Sequence, residues 1–182
     1  MVSALLDPAL DMALRGAAAA LFGFAAWHKL KDPIAFWQVL AAYRLVPERL
    51  ARPASILVPL VESATALGLL FLPSSPAPVI AALSLWVLYG IAMAINLLRG
   101  RTQLDCGCGG LAADQTIGWT LVGRNVLLAG FASLLLLPTS MRTILWLDGL
   151  TALFGALILL LLYASCDHLM RNAVLLSTDE AS

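Results

Sequence analysis

Residues 77–98 read APVIAALSLWVLYGIAMAINLL, a run with no charged side chain. A bilayer core about 30 Å thick needs about 20 mostly apolar residues to cross it as a helix, and this run has that length. Four further stretches have the same character. Residues 9–27 are Ala-rich and carry Arg15. Residues 53–73 hold Glu62 as their only charge, residues 117–138 carry Arg124, and residues 143–164 carry only Asp148. Leu-rich composition with few β-branched residues favours helices over barrel strands. The expected fold is therefore an all-α membrane bundle of about five transmembrane helices, forming a single integral membrane domain over residues 1–182.

Composition agrees. Of the 182 residues, 61% are hydrophobic and 12% charged, against roughly 45–50% and 25% in soluble domains. These values exclude a disordered chain, a disulfide-rich miniprotein and an ordinary cytosolic enzyme. Lys+Arg and Asp+Glu number 11 each, so no basic excess points to nucleic acid. The first ten residues lack a basic segment, and Asp7 and Asp11 stand where one would be needed, so the first span itself is expected to target the chain.

Pro73-Ser74-Ser75-Pro76 and Pro138-Thr139-Ser140-Met141 leave room only for tight turns. Spans two and three, and four and five, are thus antiparallel neighbours. Between spans one and two, residues 34–43 are too short to cross, and Trp37 and Tyr43 suit an amphipathic helix at headgroup level. Five crossings put residues 28–52, residues 99–116 and the C-terminus on one face. That face bears Lys29, Lys31, Arg44, Arg49, Arg52, Arg99, Arg101 and Arg171, so the positive-inside rule assigns it to the cytoplasm.

The polar residues collect towards the same face. Glu62 and Arg124 lie about 13 Å and 10 Å from it at 1.5 Å per residue. Because a lone charge in hydrocarbon is costly, the matched depths predict that the two pair. Asn125, Asn96, His28 and Cys166 lie on this side, whereas Asp148 near the opposite face is expected to cap or snorkel. The segment Asp105-Cys106-Gly107-Cys108-Gly109-Gly110 is chemically the most pointed. Cysteines one residue apart close only a tight ring, eased by the intervening glycine. A strained, exposed disulfide is typically labile or catalytic, and the nearby Arg99 and Arg101 would favour a thiolate. Two further readings stay open: two inert thiols in a loop, and a metal site. The metal site would have only Cys106, Cys108, Cys166 and His28 as donors; none is assigned.

Several segments together resemble the MauE family of methylamine utilisation proteins, within the wider group of DoxX-like membrane proteins. These are Trp27-His28-Lys29-Leu30-Lys31-Asp32-Pro33, Tyr43-Arg44-Leu45-Val46-Pro47, Pro59-Leu60-Val61-Glu62, Asn96-Leu97-Leu98-Arg99-Gly100-Arg101, the cysteine segment, and Gly123-Arg124-Asn125. The resemblance covers about residues 12–165. It implies a multi-pass protein of the bacterial inner membrane, needed in methylamine degradation to process, transport or mature the β (small) subunit of methylamine dehydrogenase. That subunit is periplasmic and rich in disulfides, and the usual companion is the thioredoxin-like MauD. Thiol–disulfide exchange by Cys106 and Cys108 is the economical mechanism, supported by Arg99, Arg101, Glu62, Arg124 and Asn125, with no cofactor required. The alternatives are a non-catalytic scaffold for the maturation machinery and a quinone-linked DoxX-like oxidoreductase subunit. A periplasmic substrate conflicts with a cytoplasmic cysteine loop, unless electrons cross the membrane or the loop is reached from outside.

Overall fold

A computed structural model describes residues 5–107 and 116–179. It contains six helices: α1 Pro8–Lys31, α2 Pro33–Tyr43, α3 Glu48–Phe71, α4 Ala77–Leu98, α5 Trp119–Leu134 and α6 Trp146–Asp179. Four of them, α1, α3, α4 and α6 as far as Leu169, are long and apolar enough to cross a membrane. Helix α5 has only 16 residues, about 24 Å. Its last turn tightens through i→i−3 bonds from Leu135, Leu136 and Leu137, a 3₁₀-type extension that carries the chain to Pro138. With α5 counted as a shorter fifth crossing, the all-helical architecture is roughly consistent with the expected bundle of about five, and α2 is the short helix between the first two.

Helix boundaries depart from expectation at both ends of the bundle. Pro53 was expected to open the second span, but α3 begins at Glu48 and runs through both Pro53 and Pro59. Each proline withholds the amide that would bond the carbonyl four residues before it, those of Arg49 and Ser55. The nearby hydroxyls bond other carbonyls: Ser55 donates to that of Arg52 and Ser63 to that of Pro59, each at 2.8 Å. The fifth span does not end near residue 164. Helix α6 is 34 residues long, about 51 Å, so it projects well beyond a 30 Å core. Cys166 and Asp167 are therefore helical residues, not part of an exit loop.

Helix α1 lies at the centre, packed against α3 and α6, while α5 packs on α4. Small residues set the α1–α6 distance: a Cβ on Gly155 would stand 3.1 Å from that of Ala13. Without a hydrophobic driving force between helices in lipid, such close van der Waals approach drives association. Phe22 and Trp86 stack with ring centroids 4.7 Å apart in the main apolar cluster. Outward-facing leucines such as Leu57, Leu88 and Leu161 are more than half exposed, as a lipid-facing surface requires.

At the face opposite the cysteines, Leu6 pairs with the segment after α5. Its amide donates to the Pro138 carbonyl, and the Ser140 amide donates to the Leu6 carbonyl, each at 2.9 Å. Arg142 clamps this junction, donating to Asp7 at 3.0 Å and to Asp148 at 2.7 Å. Asp148 also accepts from the Leu145 amide at 2.7 Å, so it caps α6 as expected. The Arg142 guanidinium holds the Asp7 carboxyl below its ordinary value of 3.8. Such a group contributes stability above its unfolded value, and that contribution is lost as pH falls through the lowered one. Protection of the Leu6 and Ser140 amides should be greatest above pH 3.8 and fall below it; Asp7→Asn should weaken this pH dependence, leaving the part carried by Asp148, which the same guanidinium also holds.

Candidate functional site

Two buried ion pairs flank Cys106. The first joins α1, α3 and α4. Lys29 Nζ donates to Glu62 Oε1 at 2.6 Å, and the Tyr89 hydroxyl donates to the same oxygen at 2.6 Å. The Lys29 and Glu62 side chains are 2% and 0% exposed, and Lys29 Nζ lies 5.3 Å from the ring centroids of both Phe36 and Tyr89. The second joins α5 and α6. Arg124 Nη1 donates to Asp167 at 2.8 Å, and the guanidinium lies over the Tyr163 ring at 5.6 Å.

This arrangement corrects the expected Glu62–Arg124 pair. Each charge is paired, as burial demands, but with another partner. Glu62 takes Lys29, which the sequence counted among the positive residues of the cysteine-bearing face, and Arg124 takes Asp167. The two side chains nevertheless line one cavity of about 280 Å³ with Trp86, Tyr89, Asn125 and Tyr163. Each keeps one buried atom without a hydrogen-bond partner, Glu62 Oε2 and Arg124 Nε.

Cys106 is disulfide-bonded; Cys108 lies outside the described residues, and Cys166 is free and exposed on α6. Cys106 packs against the cluster of Tyr43, Met93, Ile117 and Leu121. Its carbonyl accepts from the Tyr43 hydroxyl at 3.2 Å, and its Sγ lies 4.0 Å from Arg124 Nη2. Burial, reinforced by the Asp105 charge, raises the Tyr43 phenol above its ordinary value, so it stays a proton donor to that carbonyl. A small cavity of about 80 Å³ connects Cys106 with Lys29, Tyr89 and Phe36.

The other expected residues have distinct places. Arg101 donates to the Ala42 carbonyl at 2.8 Å, to the Tyr43 carbonyl at 3.2 Å and to Asn96 at 3.0 Å. It thereby satisfies open carbonyls at the end of α2 and ties that helix to α4. Arg99 is exposed at the end of α4. The guanidinium that reaches the sulfur is Arg124, distant in sequence. Asn125 is buried and donates to the Leu121 carbonyl at 2.9 Å, holding α5. His28 is exposed, and among the described residues no group of three or more His, Cys, Asp or Glu could hold a metal ion. Sequence reasoning missed Asp167, Tyr89 and Tyr163 as site residues. The available signal was Asp167 itself, an acid in register to extend the last span.

Gly107 docks the cysteine segment on α2. It has φ +63°, and a Cβ there would stand 2.7 Å from Val39 Cγ1. The left-handed conformation costs a non-glycine residue roughly 1–2 kcal/mol, and the Val39 contact adds to it. Gly107→Ala should lift the segment from α2, visible as faster proteolysis near residue 107. Val39→Ala should relieve the clash but not the backbone strain, so the double variant should recover only in part.

The family model described as "Methylamine utilisation protein MauE" matches residues 7–138. A methylamine utilization protein MauE of Paracoccus denitrificans is 36% identical over 171 residues, covering 93% of this chain and 91% of the relative. A protein of the same name from Methylorubrum extorquens is 39% identical over 143 residues, covering 77% of each. Another from Methylophilus methylotrophus is 33% identical over 169 residues, 92% of this chain and 89% of the relative. No solved structure matches the chain significantly. The chain is a multi-pass membrane protein that belongs to the MauE family.

Proposed function

We propose that this protein works in methylamine utilisation as an inner-membrane maturation factor for methylamine dehydrogenase. It exchanges thiols and disulfides through Cys106 and Cys108 during formation of the disulfide-rich β subunit, with the thioredoxin-like MauD as companion. The observation that carries this reading is the disulfide at Cys106 between two buried ion pairs, with a guanidinium 4.0 Å from its sulfur. A nearby cation favours the thiolate, the form that attacks. A thiolate of the β subunit attacks the disulfide of the pair, a mixed disulfide forms and the displaced cysteine leaves as thiolate; a second substrate thiolate then closes the new disulfide and releases the reduced pair, and the reverse attack by a reduced cysteine opens a wrong one. The names borne by the relatives support the pathway.

The test is a pair of substitutions. Cys106→Ser and Cys108→Ser, singly and together, should leave the protein in the membrane but abolish mature methylamine dehydrogenase, with the β subunit lost first. Cys166→Ser should retain mature enzyme. A scaffold without redox chemistry would tolerate all three. Growth of the double variant on methylamine would overturn the thiol–disulfide reading. Labelling of reduced cells with a membrane-impermeant maleimide assigns the face on which the pair is reached.

A further inference from the structure

The cysteine segment rests on the end of α2. The Tyr43 hydroxyl donates to the Cys106 carbonyl at 3.2 Å. Gly107 docks against Val39 and Phe36, and its amide donates to the Asp105 carboxylate at 2.8 Å. Arg101 grips the same end of α2, holding the Ala42 and Tyr43 carbonyls together with Asn96, a fully buried residue of α4. Tyr43 is the shared element. Its carbonyl is held by Arg101, and its hydroxyl holds Cys106, whose Sγ lies 4.0 Å from Arg124 Nη2. Among the described residues, regular backbone pairing of this loop ends just before Cys106: the Ile117 amide donates to the Leu104 carbonyl at 2.8 Å, and Asp105 bridges Thr116.

We propose that Tyr43 is a positioning residue for the thiol chemistry: by anchoring the Cys106 carbonyl it fixes Sγ beside Arg124, and so sets the share of Cys106 that exists as thiolate. The proposal rests on the thiol–disulfide reading and adds the residue that places its sulfur. A carbonyl outside regular pairing takes its partner from a side chain, and a partner on a helix ties the peptide to that helix. The Tyr43 side chain is a fixed point, since the residue is 7% exposed and packs in the cluster of Met93, Ile117 and Leu121. Coulomb attraction falls with distance. A sulfur that moved from 4 Å to about 6 Å from the guanidinium would lose about a third of it.

The other charged and titratable groups around Cys106 come from four helices and from its own segment. Arg124 is on α5, with Asp167 of α6 bonded to it. Asp105 precedes the cysteine in the chain. Lys29 of α1 and Tyr89 of α4 line the 80 Å³ cavity with it. Tyr43→Phe leaves all of these in place, removing one neutral hydroxyl and keeping the ring in its cluster. A change in the ionisation of Cys106 then reports displacement of the sulfur, not a lost charge.

The test is alkylation of the reduced, full-length chain in detergent by iodoacetamide across the pH range, with Cys106 and Cys166 quantified separately by mass spectrometry. In the unaltered protein the Cys106 profile should have a lower midpoint than that of Cys166, an exposed free thiol. Tyr43→Phe should raise the Cys106 midpoint by about one pH unit, a loss of up to about tenfold in thiolate, and leave Cys166 where it was. In the Arg124→Gln background the same change should have little further effect, because the cation it serves is gone. Should Tyr43→Phe fail to fold, Arg101→Lys keeps the charge but loses the fork that grips α2, and should raise the Cys106 midpoint likewise. An unchanged midpoint in the folded variant, or an equal shift with and without Arg124, would overturn the positioning role and leave the thiol reading standing. A shift shared by Cys166 would overturn it as well, since it reports general loosening. Cys106 of the unaltered protein titrating like Cys166 would instead overturn the thiolate activation on which the thiol reading rests.

Discussion

Lys29→Met should lower the stability of the bundle by about 3–5 kcal/mol, the usual cost of stranding one member of a buried ion pair. Glu62 is fully buried, and without Lys29 its charge keeps only the Tyr89 hydroxyl. Glu62→Leu should cost a similar amount, because Lys29 would then face the Phe36 and Tyr89 rings with no counter-charge. The double change Lys29→Met with Glu62→Leu should recover most of the loss, since apolar replacement of a whole buried pair is often neutral or stabilising. Thermal unfolding in detergent, followed by size-exclusion, reads all three. Equal losses in the single and double variants would mean that packing volume, not charge pairing, holds α1 to α3. Maturation activity separates structure from chemistry: a stable but inactive double variant places the pair in the reaction.

The five crossings were legible because hydrophobic length and charge-free runs are properties of one stretch at a time. Residues 77–98 needed no partner to be read, and the helix Ala77–Leu98 has those bounds. The pairing of buried charges was not legible in the same way. Depth measured along one helix fixes a height but not a direction around the axis, and errors in helix ends displace the height. Taking Pro53 as the start of α3 moved the reference point for Glu62 by five residues, about 7 Å. Ending the last span near residue 164 left Asp167 outside the membrane and out of consideration. With Asp167 missing, Arg124 had one visible acid at its depth, Glu62, and the inferred pair followed. The cysteine segment shows the same divide. Its chemistry was visible from Cys106-Gly107-Cys108, but the choice of guanidinium followed proximity in sequence. The fold gives Arg101 to the carbonyls of α2 and brings Arg124 from the next helix.

That choice has a measurable consequence. Arg124 is divided between Asp167, at 2.8 Å from Nη1, and Cys106, with Sγ 4.0 Å from Nη2. Asp167 neutralises part of the positive charge that the sulfur feels. In the reduced protein, Asp167→Asn keeps the shape of the acceptor and removes its charge, so the Cys106 thiolate should gain stabilisation. Alkylation of Cys106 at neutral pH should become faster, approaching tenfold if the change is worth about 1.4 kcal/mol. Arg124→Gln should act in the opposite sense, since the sulfur loses its cation and Asp167 is left as a nearby negative charge; alkylation should slow by a similar factor. General loosening of the α5–α6 end would accelerate both variants by exposing the thiol, so opposite signs distinguish electrostatic control from structural damage. Arg124→Lys keeps the charge but loses the fork that serves Asp167 and sulfur at once. It should therefore restore the rate only in part. Arg99→Gln, at an exposed site, should leave the rate near that of the unaltered protein. If Arg99→Gln slows alkylation as much as Arg124→Gln does, the cation that tunes Cys106 is the sequence neighbour after all, and the assignment to Arg124 falls.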